Sequence, residues 1–228
     1  MALGFIDFEY NSDTDLKRYR QVFDIIEVGF YVYDGKSLID EYHAYVKPVK
    51  NEGKLFERIV ELTDIQQSQV DFGVSIEFAL TELNKRIHKY RITEIVAWGS
   101  YDAFALRKNL QNITVNKKKY KGMIYRIGSK IVDLGELVKK RFELKYSISL
   151  INTCHICDLD RSKFHNALDD SNMLFSVFDK LSSGICNEEK LLKYKELDSK
   201  RKPGYTIKLI DGEFSLVEST VMPKKTEL

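Results

Sequence analysis

The residue pattern changes once along this chain, and the change limits the folds that the chain can adopt. The first segments, Leu3 to Tyr10, Asp24 to Tyr33 and Ser37 to Val46, are rich in the β-branched and aromatic residues that favour strands. Asp34-Gly35 lies between the last two segments and is typical of a tight hairpin turn. We therefore predict that three strands form an antiparallel meander at the start of the fold.

Helix-like and strand-like segments alternate after this meander. Gly73 to Tyr90 carries apolar residues at close to helical spacing. The later segments are a strand at Thr93 to Trp98, a helix at Tyr101 to Leu110, a short strand at Lys130 to Asp133 that leads into a helix ending near Phe142, and helices at Ser149 to Cys157 and Asn166 to Leu181. This order predicts an α/β fold in which helices flank a mixed sheet, with the antiparallel meander joined to parallel strands.

The last part of the chain follows a separate pattern. Asn187 to Lys200 is predicted to be a charged helix, which Pro203-Gly204 would end. Polar and apolar residues then alternate on both sides of Asp211-Gly212, a second hairpin signal. We predict a main domain of residues 1–184 and a small C-terminal extension of residues 185–228. The extension, a helix and a β-hairpin, would offer a surface for a second copy of the chain or for a protein partner.

Composition narrows the class of protein. The 228 residues carry a formal net charge of +2, so a nucleic acid would have to bind locally, in a cleft. No run approaches the roughly 18 apolar residues of a membrane span. The three cysteines are odd in number, and the first residues lack the features of a signal peptide. These observations predict a reduced, cytoplasmic location without a membrane partner.

Two acidic residues, Asp7 and Glu9, interrupt the first apolar segment. Side chains at positions i and i+2 of a strand point to the same face, so both carboxylates would project side by side. Such a pair on a buried strand is costly, because the charges repel each other and burial disfavours both. A bound divalent cation would remove both penalties. The alternative is an edge strand with exposed acids, against which the neighbours Phe5, Ile6 and Phe8 argue.

Two more segments place acids at the start of predicted helices. Asp102 falls in a first helical turn after a strand, where an acid either stabilises the helix dipole or serves a site at the end of the sheet. Later, His165 precedes Asn166, a candidate helix cap, and Asp169 and Asp170 follow in the first turn. Taken one at a time, these acids fit the stabilisation of a helix better than they fit catalysis.

The order and spacing of the three pieces resemble the DEDDh superfamily of 3′→5′ exonucleases, which includes RNase T and the proofreading subunits of DNA polymerases. The resemblance spans Leu3 to Asp179 and rests on the segments FIDFEY, DIIEVGFYVY, ELTDIQQSQVD, AWGSYDAFAL and HNALDDSNML. Ala97 to Asp102 is most similar to the branch of the enhanced-RNAi 3′ exonucleases and the KapD-like proteins. The resemblance implies a ribonuclease H-like fold, and the residues after Gly184 match no pattern of the family.

The resemblance also implies a role for each residue of the motif. Asp7 would bridge two divalent cations, Mg²⁺ or Mn²⁺, and Glu9 and Asp170 would hold one of them with the attacking water. Asp102 would act on the metals through ordered water. His165 would take the proton from the attacking water as general base.

The activity implied by the resemblance is 3′→5′ hydrolysis of single-stranded RNA, or of 3′ overhangs, with release of 5′-mononucleotides. A DNA exonuclease for repair or proofreading would use the same residues. A regulator that binds nucleic acid or protein would use the same fold as a scaffold, but the presence of every catalytic residue of the motif argues against it. The family spacing of four residues between His165 and the last acid selects Asp170 rather than Asp169.

Further residues are candidates for contacts with the substrate. Phe8 lies between the two acids, and Leu62-Thr63 resembles the family segment that wedges against the terminal base and ribose, unless it is a plain helix end. Trp98 either stacks on a base or fills the core. The run Lys117 to Lys121 is predicted to be a basic loop, which either guides a phosphate backbone or is simply solvated.

Overall fold

Three long strands open the fold, which the computed structural model describes for residues 2–12, 23–159 and 166–219. β1 (Ala2–Ser12) pairs antiparallel with β2 (Phe23–Asp34). β2 in turn pairs antiparallel with β3 (Ser37–Tyr45) across the tight turn at Gly35. The predicted antiparallel meander is therefore confirmed.

Two short parallel strands complete the main sheet. β4 (Ile95–Ala97) pairs parallel with β1, and β5 (Ile131–Asp133) pairs parallel with β4. The strand order is β3-β2-β1-β4-β5, so β1 lies at the centre between an antiparallel and a parallel neighbour. This mixed sheet confirms the predicted α/β fold.

Helices account for much of the rest of the described chain. They are α1 (Glu57–Thr63), α2 (Gln67–Asp71), α3 (Ile76–Lys89), α4 (Tyr101–Asn109), α5 (Lys117–Gly128), α6 (Leu134–Arg141), α7 (Leu150–Ile156), α8 (Ala167–Ser182) and α9 (Glu188–Lys200). Ser75 caps α3 by accepting a hydrogen bond from the backbone N–H of Phe78. Apolar residues at helical spacing then bury one face of α3, as its sequence predicts.

The run Lys117 to Lys121 forms the start of α5, so the prediction of a loop there was wrong. Met123, Ile124 and Ile127 follow this run, and all three are buried in the main core. Most of the stability of a helix in a protein comes from packing of its apolar face rather than from local propensity. The local pattern of lysines therefore predicted a loop where packing of the following apolar residues stabilises a helix.

The two faces of the main sheet differ in character because side chains alternate along each strand. Ile6 and Phe8 of β1 and Phe30 of β2 belong to the large apolar cluster that also contains the buried face of α3. Asp7 and Glu9 occupy the alternate positions of β1. The sequence of the central strand thus places Ile6 and Phe8 on one face, and both acids on the other face together with the buried Phe5.

The chain divides into two compact units. The first comprises the described residues of Met1–Leu134 and Arg161–Ser176, and the second comprises those of Gly135–Asp160 and Val177–Leu228. The main sheet lies in the first unit. The division into a domain of residues 1–184 and an extension of residues 185–228 stays a prediction.

The second unit contains the predicted C-terminal helix and hairpin. β6 (Tyr205–Ile210) pairs antiparallel with β7 (Glu213–Glu218), as the turn residues between them predict. The rings of Tyr194 on α9 and Phe214 on β7 meet edge to face, with centroids 5.1 Å apart. Asn152 on α7 donates a hydrogen bond of 2.9 Å to the backbone oxygen of Ile207 on β6. These contacts give the unit an interior of its own.

Candidate active site

Three carboxylates from two distant parts of the chain meet on one face of the sheet. Asp7 and Glu9 project from β1, and Asp170 comes from the first turn of α8. Each residue offers a carboxylate oxygen, and these oxygens all lie within 4.8 Å of one another. The structure therefore brings together three of the four acids that the sequence analysis assigned to a metal site.

These carboxylates lie in a largely buried setting. Glu9 and Asp170 are each only 8% exposed. Burial, followed by the charges of Asp102, Glu9 and Asp170, raises the pKa of Asp7 well above its ordinary value. A group of like charges with little access to water is unfavourable unless protons or cations neutralise it.

Asp102, the fourth acid, occupies the predicted place in the first turn of α4 and is 3% exposed. It lies outside the group whose oxygens approach within 4.8 Å, although its charge acts on Asp7. The hydroxyl of Tyr10 donates a hydrogen bond of 2.6 Å to Oδ1 of Asp102. Burial raises the pKa of Asp102 to about 7, and the hydrogen bond from Tyr10 opposes that rise.

The turn between β4 and α4 explains how Asp102 reaches this place. Gly99 has a φ of +84°, a backbone conformation that L side chains rarely adopt. Its N–H donates a hydrogen bond of 2.9 Å to Oδ1 of Asp133 at the end of β5. The turn is thereby tied to the neighbouring strand, and α4 starts at the carboxyl end of β4.

The start of α8 is fixed by Asn166. Its side-chain oxygen accepts a hydrogen bond of 3.0 Å from the backbone N–H of Asp169, so the predicted helix cap is confirmed. Asp170 faces the other acids, whereas Asp169 is exposed to solvent. His165, the predicted general base, lies outside the described residues.

The candidate substrate contacts lie in different surroundings. Phe8 is 3% exposed and belongs to the apolar core. Its side chain therefore lies on the opposite face of the sheet from the acids, and only its backbone is near them. Leu62 is 45% exposed, while the hydroxyl of Thr63 donates to the oxygen of Ile59 within its own helix. Trp98 is half-buried. Of these four residues, Leu62 offers the most accessible side chain.

A cavity at the start of α4 is lined by residues that sequence reasoning missed. Its volume is about 330 Å³, and its lining residues are Ser100, Tyr101, Phe104 and Arg107. Tyr101 is 58% exposed, and its ring meets that of Phe104 at a centroid distance of 6.2 Å. Tyr101, Phe104 and Arg107 recur every three residues along α4, and this helical spacing is the signal in the sequence that could have identified them.

The donor set of the acidic group fits a divalent metal. The group consists of carboxylates only, and carboxylate oxygens are the ligands that Mg²⁺ and Mn²⁺ prefer. Asp7, Glu9 and Asp170 are therefore the residues that could hold such an ion. Within the described residues, none of the helices has the length and apolar character needed to cross a bilayer.

Solved structures resemble this fold. The nuclease domain of 3′hExo, a DEDDh family member bound to rAMP, superposes with a TM-score of 0.67 at 17% identity, covering 82% of this chain and 94% of that chain. Cell-death related nuclease 4 gives a TM-score of 0.65 at 18% identity, covering 82% of this chain and 65% of that chain. E. coli exonuclease I in complex with a dA16 oligonucleotide gives a TM-score of 0.58 at 12% identity, covering 85% of this chain and 42% of that chain. At these identities the likeness concerns the fold.

Sequence comparisons add the family. The mouse protein ERI1 exoribonuclease 2 is 32% identical over 100 residues, which are 43% of this chain and 14% of the mouse protein. Residues 5–178 match the Exonuclease family of the RNase T type. The resemblance to DEDDh exonucleases is thus confirmed, and the chain is a hydrolytic nuclease. Because the match extends over more than half of its length, the chain belongs to the RNase T family of exonucleases.

Proposed function

We propose that this chain is a divalent-metal-dependent 3′→5′ exonuclease that shortens single-stranded RNA from its 3′ end and releases 5′-mononucleotides. The observation that carries the proposal is the meeting of the Asp7, Glu9 and Asp170 carboxylates beside Asp102. Buried like charges of this kind are costly to the fold, and they are explained if the site holds cations during hydrolysis of a phosphodiester.

Divalent ions bound at this site would supply electrostatic stabilisation to the attacking and the leaving oxygens of the phosphodiester. Asp7, Glu9 and Asp170 are the residues that would hold them. Asp102 would contribute through ordered water, and Tyr10 keeps its carboxylate oriented by the hydrogen bond from the hydroxyl group. The exposed Asp169 has no part in this arrangement.

His165 would act as the general base. It stands immediately before Asn166, the cap of the helix that carries Asp170. The neutral imidazole would accept the proton of the attacking water, and an imidazole with a pKa near neutrality suits that role.

Residues of α4 and α5 supply contacts for the substrate. Tyr101 and Phe104 line the cavity at the start of α4, and aromatic rings of this kind stack on nucleobases. Arg107 lines the same cavity and would meet a phosphate. The exposed lysines of Lys117–Lys121 form no ion pair with a described carboxylate, so they would be available to the phosphate backbone.

RNA is the favoured substrate because the mouse relative is an exoribonuclease and the 3′hExo domain was solved with rAMP. Single-stranded DNA is the second candidate, supported by the similar fold of exonuclease I in complex with dA16. The matched region is only 14% of the mouse protein, so the activity of that whole protein is carried over here as a proposal.

The test uses single-stranded RNA and DNA of the same sequence, each labelled at the 5′ end or at the 3′ end. We expect a ladder of shortened products from the 5′ label and immediate release of a labelled mononucleotide from the 3′ label. EDTA should stop both, and Mg²⁺ or Mn²⁺ should restore them; Asp7→Ala serves as the inactive control. Full activity in EDTA would contradict the metal mechanism, and faster degradation of DNA would favour the second candidate. No degradation of either polymer would favour a binding regulator.

A further inference from the structure

A row of residues on three adjacent strands lies next to the start of α8. In the antiparallel pairing of β1 with β2, Asp7 is opposite Gly29 and Glu9 is opposite Glu27. In the pairing of β2 with β3, Gly29 is opposite His43. Directly paired residues share one face of a sheet. Glu27, Gly29 and His43 therefore lie on the same face as the acids of the site.

Gly29 allows the backbone of α8 to touch the sheet. A Cβ atom at this position would lie 2.0 Å from the backbone oxygen of Ala167 and 2.4 Å from the backbone nitrogen of Leu168. Because those atoms are backbone, no side-chain rotation could relieve the contact. The missing side chain at Gly29 thus opens a slot, and the first turn of α8 occupies it.

Glu27 anchors the helix in that slot. Its side chain is 0% exposed, and Oε2 accepts a hydrogen bond of 2.9 Å from the N–H of Ala167, the first residue of α8. Oε1 lies 2.6 Å from Nε2 of His43 and 3.3 Å from Nδ2 of Asn166. A carboxylate only accepts hydrogen bonds, so both nitrogens donate to it. The negative charge also meets the positive end of the helix dipole.

The anchor is connected to a ligand of the candidate metal site. Asn166, which donates to Glu27, caps α8 and accepts at its backbone oxygen the N–H of Asp170, at 2.9 Å. Asp170 lies within the first helical turn, which rises only about 5.4 Å along the axis. Any displacement of the helix start therefore displaces Asp170 by nearly the same distance. Glu27 and Asp170 are thus linked through one capped turn.

We propose that Glu27 is a positioning residue. Held by His43, it fixes the first turn of α8 above Gly29 and thereby sets where the Asp170 carboxylate stands relative to Asp7 and Glu9. This inference rests on the proposed function for the role of the site, but the way the helix is held can be measured without metal or substrate.

The principal test is Glu27→Gln. The variant keeps the shape of the side chain and an oxygen for the N–H of Ala167. It loses the charge and presents an NH₂ group where an acceptor stood. In metal-free protein, we expect the amides of residues 167–171 to exchange hydrogen at least roughly tenfold faster, while the amides of α3 keep their protection. In the folded variant, the Kd for Mn²⁺ should rise roughly tenfold, as it does when partners behind metal ligands are removed.

Asp24→Asn is the matched control. Asp24 is also a buried acid on β2, 1% exposed, and it accepts a backbone N–H, that of Lys50 at 3.0 Å. Its other described partners are the backbone of Val49 and the side chain of Asn112, and neither residue belongs to α8. The control should lower the melting temperature and leave both the exchange at residues 167–171 and the Kd for Mn²⁺ unchanged.

A double-mutant cycle separates positioning from general stability. In an Asp170→Asn background, Glu27→Gln should change the Kd for Mn²⁺ by less than about twofold, because the ligand that Glu27 positions is already gone. Additive losses, or unchanged exchange at residues 167–171 in Glu27→Gln, would overturn the inference. If wild-type protein bound no Mn²⁺ and cut no nucleic acid, the proposed function would be wrong, and the exchange measurement would still decide whether Glu27 holds the helix.

Gly29→Ala provides a second approach that leaves every charge in place. The added methyl group has to displace the first turn of α8. We expect the same local increase in hydrogen exchange and the same weakening of Mn²⁺ binding as in Glu27→Gln. A folded Gly29→Ala protein with wild-type exchange and wild-type Mn²⁺ affinity would count against the slot.

Discussion

The two neighbouring carboxylates at the start of α8 face different surroundings, although they are adjacent in the sequence. Asp170 is 8% exposed and meets Asp7 and Glu9, whereas Asp169 is exposed. Successive residues leave a helix about 100° apart, so only one of the two can face the acids. Asp170→Asn should lower kcat by roughly 10²-fold or more, since metals supply several kcal/mol to the transition state.

Asp169→Asn is the matched control for this comparison and should retain nearly wild-type kcat. Both variants are measured on the same labelled RNA with saturating Mn²⁺, and far-UV circular dichroism verifies that both are folded. The opposite ranking would move the last ligand to Asp169.

The role of Tyr10 as a hydrogen-bond donor to Asp102 can be tested with a conservative substitution. Its hydroxyl donates a hydrogen bond of 2.6 Å to Oδ1 of Asp102, and its ring packs against that of Phe23 with centroids 5.0 Å apart. Tyr10→Phe removes the donor and keeps the ring, so the fold should persist. We expect kcat to fall roughly 10-fold or more, the usual effect of removing a partner behind a metal-site ligand. Wild-type kcat in Tyr10→Phe would show that Asp102 needs no such orientation.

Some residues of the site were predictable from sequence and others were not. The acids of β1 were predictable because strand alternation alone places Asp7 and Glu9 on one face. Tyr10 was not, because its partner Asp102 lies 92 residues away and nothing local signals the pairing. Glu27 was hidden for the same reason, since its hydrogen bond to Ala167 spans 140 residues. Long-range partners depend on the tertiary fold, which a local pattern does not contain.

Among the elements, α5 combines unfavourable local electrostatics with an exposed surface. The lysines of Lys117–Lys121 lie near the positive end of the helix dipole, where cations are disfavoured. Changing all of these lysines to Gln should leave the melting temperature unchanged or raise it slightly. The same change should weaken RNA binding and reduce the slope of log Kd against log salt by up to about 0.7 for each phosphate that the lysines neutralise in the wild-type protein.

The control for this element is Lys200→Gln on α9, because Lys200 is already paired with Glu196 at 2.6 Å. Filter binding of single-stranded RNA across a range of salt concentrations gives both the Kd and the slope. An unchanged slope in the α5 variant would mean that these lysines are simply solvated.

Length accounts for only part of the difference between predicted and missed elements, because β4 and β5, of 3 residues each, and α7, of 7 residues, were predicted. The strands of the meander and the helix α3 are each nine or more residues long. The helices α1 and α2 are only 7 and 5 residues long, and α1 keeps just Ile59 and Thr63 buried. In α1 and α2 too few positions are available for a period to emerge, so the structure of these two helices depends on what packs against them.

At the scale of the whole molecule, the buried acids make the stability of the metal-free protein depend on pH. Burial raises the pKa of Asp102 from 3.8 to about 7 and raises that of Asp7 as well. The two acids therefore bind protons in the folded protein that they release in the unfolded chain, so their contribution to stability is greatest at low pH and is lost as the pH rises through this window. In EDTA, the melting temperature should increase when the pH is lowered from 7.5 to about 5.

Metal should remove this dependence, because a cation binds the ionised acids of the folded protein only. At a free Mn²⁺ concentration of 100 Kd the gain is about 2.7 kcal/mol, measurable as a rise in melting temperature at pH 7.5. Asp102→Asn should flatten the pH dependence in EDTA. A metal-free protein that becomes steadily less stable between pH 7.5 and 5 would contradict the raised pKa values.

The mixed sheet was predictable at this scale, but the division into compact units was not. Segment order and turn residues identify which strands are neighbours. The second unit combines residues such as Asn152 and Ile207, which meet although they are 55 positions apart. No change in composition marks the boundary, because the grouping is made by contacts and not by the chain.

Gly29 also makes the packing of α8 on the sheet depend on the correct pairing of β2 with β1. If β2 paired one residue out of step, Val28 or Phe30 would stand where Gly29 stands, and every side chain of the strand would change faces. The larger side chain would fill the slot, and the first turn of α8 could not pack against the sheet. Correct pairing of β2 with β1 is therefore a condition for bringing the Asp170 carboxylate to Asp7 and Glu9.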